Sequence, residues 1–255
     1  MTDFVDGNRI TLITRGLEYF PQLEAACDGA RHEIHIETYI FDDDAAGQRI
    51  AAALKRAAQR GVATHVLVDG FGSKRLAGAF VADLRKAGVR FLVYRPDLTP
   101  FLVGRRRLRR MHRKLAVIDG RVAFIGGINI IDDMHTPGHT PPRFDYAVRV
   151  EGPLLSSIYP RVKRLWALVA FMQLGQEWHD VPVAARLAVS GTQRAAFVVR
   201  DNVRHRRDIE DAYLSAIGAA RSEILIANAY FFPGLSFRRA LVEAAARGVH
   251  VTLLL

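Results

Sequence analysis

The 255-residue sequence has a single cysteine, Cys27, which excludes an internal disulfide and fits a reducing compartment. Cys27 falls beside Leu23 and Ala26 in a helical pattern and reads as a small buried hydrophobe. Long apolar runs are also missing. The longest, Leu165–Met172, is far short of the roughly 20 residues that a membrane-spanning helix needs. The first residues, Met1-Thr2-Asp3-Phe4-Val5-Asp6, have neither the basic start nor the apolar centre of a secretory signal. Any membrane contact is therefore expected to be peripheral. No low-complexity tract is present, and a chain that is 50% hydrophobic and 24% charged can build a sizeable core. Acidic residues are the scarcer charge: 36 Lys and Arg against 26 Asp and Glu leave a formal net charge of +10. Such a surface prefers anionic partners, whether nucleic acid, acidic lipid headgroups or phosphorylated small molecules.

What is present is an alternation of periods. Arg9–Ile13 reads as a strand and Tyr19–Ala30 as a helix. Glu33–Phe41, rich in β-branched and aromatic residues, predicts the next strand. Ile50, Ala53, Leu54, Ala57 and Ala58 recur at helical spacing, closed by Gly61. Val62–Val68 reads as a strand, Ser73 can cap a helix ending at Gly88, and Val89–Tyr94 is another strand. Strands alternating with helices predict βαβ units, hence an α/β fold with a mixed, largely parallel sheet flanked by helices. Further on, His112–Ile118 and Arg121–Ile125 read as strands joined at the tight-turn pair Asp119-Gly120. Arg143–Val150 predicts another strand, and Pro153 opens an apolar helix to about Leu174.

Arg95–Met111 interrupts the alternation with two prolines, the apolar triplet Phe101-Leu102-Val103, and then Arg105, Arg106, Arg107, Arg109 and Arg110. Two readings fit. Phe101 and Leu102 can enter a bilayer surface while Arg105, Arg106 and Arg107 meet anionic headgroups, at about 1 kcal/mol per basic residue. Alternatively the loop is solvated or faces nucleic acid. The helix bearing Leu165, Trp166, Leu168, Val169, Phe171 and Met172 is apolar nearly all round, which predicts burial between lobes ahead of membrane docking.

The sequence also repeats. Ala30-Arg31-His32-Glu33-Ile34-His35-Ile36 returns as Ala220-Arg221-Ser222-Glu223-Ile224-Leu225-Ile226, and Ala53-Leu54 through Arg60-Gly61-Val62 returns as Ala240-Leu241 through Arg247-Gly248-Val249. The expected organisation is a first lobe over 1–175, a polar linker over 176–192 and the start of a second lobe over 193–255. The second copy stops inside its strand, so the natural protein is expected to continue.

The chemistry concentrates in Met111–Asn129, which reads HxKxxxxDxxxxxxGGxN. His112 and Lys114 stand two apart on an expected strand and so project from one face. A neutral imidazole is a competent nucleophile toward phosphorus, and an ammonium beside it can neutralise charge building on the phosphoryl oxygens. Asn129 adds an amide donor, and Gly126 and Gly127 let backbone approach closely. Asp119 is either a substrate contact or a turn residue beside Gly120. A histidine nucleophile needs a partner on its second ring nitrogen. Asp145, in Arg143-Phe144-Asp145-Tyr146-Ala147-Val148, is the candidate, its alternative being a surface aspartate. Asp132, Asp133, His135 and His139 invite a metal reading, but the intervening Thr136-Pro137-Gly138 breaks any helical ligand face. No metal and no other cofactor is expected. His32, His35, His65, His179, His205 and His250 carry no motif and are assigned structural or surface roles.

The motif resembles the HKD motif of the phospholipase D superfamily. The surrounding segments Ile36-Glu37-Thr38-Tyr39-Ile40-Phe41, Phe144–Val148 with Glu151-Gly152-Pro153, and Ile226–Pro233 are similar to its cardiolipin synthase branch. That resemblance spans nearly the whole chain. It implies duplicated lobes with the second incomplete here, and His112 as nucleophile or as its general-acid counterpart. Lys114, Asn129 and Gly127 would sit at the phosphate, Asp119 within the catalytic motif, Glu37 near the site, and Asp145 would orient His112. It also implies phosphatidyl transfer on an anionic phospholipid such as phosphatidylglycerol, at a peripheral membrane surface on the cytoplasmic face of a bacterial inner membrane. Family members use two such motifs, so a second lobe is an expected partner. The rival readings are a phosphodiesterase or nuclease of the same superfamily, which makes nucleic acid the less favoured partner, and an idle lobe that only binds anionic membranes.

Overall fold

A computed structural model describes residues 3–96, 110–136, 140–174, 185, 188–200 and 205–255. The expected contact residues Phe101, Leu102, Arg105, Arg106 and Arg107, together with His139, His179 and most of the 176–192 segment, lie outside the described residues. The chain forms two compact units, Phe4–Ala195 and Ala196–Leu255.

The first unit runs β1 (Val5–Thr14), α1 (Arg15–Asp28), β2 (Glu33–Thr38), α2 (Ala45–Gln59), β3 (Ala63–Asp69), α3 (Gly78–Lys86), β4 (Arg90–Tyr94), β5 (Leu115–Ile118), β6 (Val122–Gly126), β7 (Tyr146–Glu151), α4 (Leu155–Leu174) and β8 (Gln193–Ala195). The eight strands make one sheet in the order β4-β3-β2-β5-β6-β7-β1-β8. The mixed α/β class is as expected, but the parallel share is smaller. Only β2, β3 and β4 run parallel, and every other neighbouring pair is antiparallel. The reason is local. β5, β6 and β7 are linked without an intervening helix, so each reverses on the last. Gln193–Ala195, expected to open the second lobe, pairs with β1 at the edge of this sheet.

Alternation along β3 divides two cores. Val66 and Val68 join Ile34, Ile36, Ala116 and Ile118 under α1, α2 and α3. Leu67 turns the other way, with Leu92 and Met111, against Trp166, Val169 and Ala170 of α4. Cys27 is fully buried in the first of these cores. The helix expected to start at Ser73 begins instead at Gly78. The Ser73 hydroxyl is taken up elsewhere, donating to the Tyr39 carbonyl at 3.1 Å and accepting from the Phe41 amide at 3.0 Å.

Asp119 and Gly120 both have positive φ, 52° and 55°, the conformation a two-residue hairpin turn requires. The Asp119 carboxylate accepts the backbone N–H groups of Arg31 and His32, each at 2.8 Å, and of Glu33 at 2.9 Å. It thereby ties the α1–β2 connection to the β5–β6 turn.

The second unit contains α5 (Asp208–Ala219), β9 (Glu223–Ala227), α6 (Leu235–Ala246) and β10 (His250–Leu254), with β9 and β10 parallel. It repeats the α1-β2-α2-β3 order, with the strand pair parallel in both. Gly61 and Gly248 end equivalent helices at φ 85° and 87°. The next residue donates back in each case, Val62 to Ala57 and Val249 to Ala244, both at 3.1 Å.

Removing the Asp119 carboxylate leaves three amides without their acceptor. The D119A variant should lose about 2–3 kcal/mol of stability by chemical denaturation. D119N, which keeps an oxygen and tolerates positive φ, should lose less; equal losses would contradict this role.

Candidate active site

His112 and Lys114 lie in the extended segment that leads into β5, which starts at Leu115 and not at His112. The Lys114 ammonium stands 3.2 Å from both ring nitrogens of His112. It also lies 5.1 Å above the Tyr39 ring, and the Tyr39 and His112 rings are 4.6 Å apart between centroids. Two rings and one ammonium thus form a single cluster at the ends of β2 and β5. Burial, with Lys114 adding to it, pushes the His112 imidazole below its ordinary value, while Asp69 and Asp145 oppose that shift. At neutral pH the ring is therefore neutral and holds a lone pair. Burial likewise pulls Lys114 down to about 8, again against Asp145 and Asp69.

Asp145 reaches the cluster because residue 127 is glycine. A Cβ there would lie 2.0 Å from the Asp145 Oδ1 atom. Gly126 serves strand pairing, since a Cβ on it would meet the Tyr146 carbonyl oxygen at 2.3 Å. Asp145 accepts the Tyr146 amide at 2.8 Å and acts on His112 and Lys114 through its charge. Asn129 is fixed by its amide oxygen, which accepts the Ile40 N–H at 3.0 Å, leaving the NH2 end as the donor. Asp69 was not singled out from the sequence. It is fully buried at the end of β3, and its Oδ2 accepts the Met111 amide, next to His112, at 2.8 Å. The available signal was the run Asp69-Gly70-Phe71-Gly72-Ser73, a carboxylate at a strand end followed by turn glycines.

Residues 23–137 match the family described as Cardiolipin synthase, PLD-like domain. Over that stretch the chain is similar to the phospholipase D-like domain of cardiolipin synthases. It is 42% identical to the cardiolipin synthase B of Salmonella typhi and 43% identical to that of Escherichia coli strain K12, over 98% of its own length in each case. It spans 60% of the length of each of these relatives. The structure of a phosphatidylserine synthase from Haemophilus influenzae Rd KW20 shares the fold, with TM-score 0.67 at 15% identity, over 96% of this chain and 60% of that one.

Within the first unit, two of the expected site residues stand apart from the cluster. Asp119 lies beyond the far end of β5 from Lys114, roughly 15 Å along an extended chain, with its carboxylate engaged by three amides. Glu37 pairs opposite Leu115 and alternates with Ile36, so it faces the α4 side of the sheet. It meets Arg113 at 3.3 Å and is 2% exposed, and its Oε1 atom has no hydrogen-bond partner. No helix among the described residues is long and apolar enough to cross a membrane.

One grouping has metal-ligand spacing among the described residues: Glu33, His35 and His65, whose ligand atoms lie within 4.8 Å of one another. These differ from the Asp132–His139 set considered from sequence, where Asp133 instead accepts the Gly16 amide. The buried trio already has cations against it. Arg90 stands 3.2 Å from the Nε2 atom of His65, and Lys163 stands 3.7 Å from the Oε1 atom of Glu33. Burial first, then His35 and Arg90, push His65 down to about 2, keeping it neutral. A divalent ion would add charge to a trio that has one carboxylate and already has a cation against that carboxylate and another against His65, so the residues do not fit a metal centre.

Burial pushes the Glu37 carboxyl up to about 7, against Arg113. The folded protein therefore holds this proton to higher pH than the unfolded chain, and stability falls as pH rises from about 4.5 to about 7. The fall is on the order of 3 kcal/mol. An E37Q variant should show a flatter Tm across that window than the parent; parallel profiles would remove Glu37 as the titrating group.

Proposed function

We propose that this chain carries the first catalytic lobe, with the start of a second, of a phosphatidyltransferase that makes cardiolipin from phosphatidylglycerol by way of a phosphohistidine. The observation that carries the reading is the Lys114 ammonium at 3.2 Å from both nitrogens of a neutral His112. A nitrogen lone pair of His112 attacks the phosphorus of one phosphatidylglycerol. The N–P bond forms as the bond to the glycerol oxygen breaks. Lys114 and the NH2 end of Asn129 hold the non-bridging oxygens, and Gly127 keeps room for Asp145, whose carboxylate favours the positive charge the ring acquires. The departing alkoxide takes a proton from an acid in a second lobe, since every acid named here is otherwise engaged. A hydroxyl of a second phosphatidylglycerol then attacks, returning a proton to that second-lobe group, the N–P bond breaks to restore neutral His112, and cardiolipin leaves. Two easier displacements replace one hard one.

Asp119 acts through the fold in this reading, and Glu37 acts by holding Arg113 beside the catalytic segment. The net charge of +10 supports approach to an anionic bilayer from one side, the cytoplasmic face of the inner membrane, as a peripheral protein.

Vesicles of phosphatidylglycerol labelled at phosphorus should leave an acid-labile label on His112 of the complete enzyme, lost in H112A. Labelled nucleic acid should leave none, and a label retained by H112A would falsify the assignment.

The Lys114 ammonium, holding its proton to about 8, sets an alkaline limit. Turnover should fall as pH rises through that value, because the deprotonated amine no longer neutralises the phosphoryl oxygens. In K114R the rate should be lower, but the decline near pH 8 should be gone, since guanidinium stays charged. A decline that persists unchanged in K114R would assign the limb to another group.

A further inference from the structure

We propose that Asp69 is a positioning residue for His112: one buried carboxylate fixes both walls of the ring cluster, the segment carrying His112 and the turn that holds Tyr39. The inference rests on the functional reading above only for its activity measurements.

The first wall is the chain before β5. The Asp69 Oδ2 atom accepts the Met111 N–H at 2.8 Å, one residue before His112. Met111 is itself buried against Trp166 and Val169 of α4 and Leu67 of β3, so the bond is made in a dry environment. The second wall is the turn after β3. The Oδ1 atom accepts the Phe71 N–H at 2.9 Å and the Gly72 N–H at 3.2 Å, and the Asp69 carbonyl accepts the Ser73 N–H at 2.9 Å. That places the Ser73 hydroxyl to donate to the Tyr39 carbonyl at 3.1 Å and to accept the Phe41 N–H at 3.0 Å. A side chain at 72 would break the contact, since a Cβ there would lie 2.2 Å from the Tyr39 carbonyl oxygen. Through these bonds Asp69 sets where Tyr39 and His112 stand, and their rings meet at 4.6 Å.

The carboxylate is also one of the charges that His112 senses. The charged groups facing the ring are Lys114 on its own segment, Asp145 ahead of β7 and Asp69 at the end of β3. Arg110 lies 3.9 Å from the Asp69 Oδ1 atom, with its guanidinium 5.0 Å over the Phe71 ring. Asp69 and Asp145 favour the imidazolium; Lys114 and burial oppose it. A carboxylate serves here where an amide does not. Two oxygens accept from two directions, whereas the NH2 of an asparagine would face an N–H donor on one side.

The test uses D69N and S73A, with His112 followed by NMR of labelled imidazole nitrogens in the 255-residue chain and turnover followed in the complete enzyme. In D69N the His112 titration should move down, because one favouring charge is gone. kcat should fall roughly 10- to 100-fold, the range that misplacing a reacting group produces, with KM within about threefold. S73A keeps the charge and the Met111 bond. It should leave the titration in place and lower kcat several-fold. A purely structural Asp69 would lower Tm while leaving both the titration and kcat of the folded fraction unchanged, and that result overturns the proposal. If D69N does not fold, S73A decides: kcat equal to the parent's removes the second wall and the proposal with it. If the parent shows no phosphatidyl transfer at all, the functional reading fails, and the NMR titration still judges Asp69.

Discussion

The antiparallel pairing of β5 with β2 is the constraint on which the site depends. β2, β3 and β4 run parallel and deliver their C-terminal ends to one edge of the sheet. Had β5 continued that direction, His112 would stand at the opposite edge. Because β5 runs the other way, its entry meets the exits of β2 and β3. Tyr39 leaves β2, Asp69 ends β3, and His112 and Lys114 precede β5, all within one neighbourhood. Ligands in open α/β sheets bind beyond the carboxyl ends of the parallel strands, and here the antiparallel insertion brings the reactive side chains to that place.

The same insertion explains how charge is distributed. Lys114 and His112 lose solvent as they are drawn against Tyr39, and burial lowers the tendency of both to be positive. Asp69 and Asp145 arrive from strand ends on either side of β5 and return part of it. The result is a ring that is neutral and an amine that remains charged, side by side. The ring loses its proton before the amine in water as well; the surroundings lower both values and keep that order.

Much of this was legible in the sequence, because the motif is local. His112 and Lys114 stand two apart, so spacing alone placed them side by side, and Gly127 and Asn129 follow at the exit of the same hairpin. The repeat was legible for the same reason, as Gly61 and Gly248 mark matching helix ends. What was not legible depends on strand order. Asp69 is remote in sequence from His112, and nothing local says that β3 lies one strand beyond β2 from β5. The direction of the sheet was misjudged where helices drop out between β5, β6 and β7. Glu37 illustrates a subtler gap: sequence placed it near the site, but the alternation that buries Ile36 turns it to the other face. Asp119 had both readings open, and three backbone amides now hold it in the turn.

Gly127 and Asp145 occupy one volume between them. The atom that glycine lacks is displaced by the carboxylate of a residue in another segment, at 2.0 Å from where a Cβ would be. The two positions are therefore not independent targets of change. An alanine at 127 forces the carboxylate at 145 to swing out of its place or to be shortened, and a shortened residue at 145 leaves a void that an added carbon at 127 can refill. Single substitutions at either position pass through a state that is overfilled or hollow. Chains of this architecture that have given up the acid should accordingly show a side chain at the second glycine, and those that keep the acid should keep the glycine.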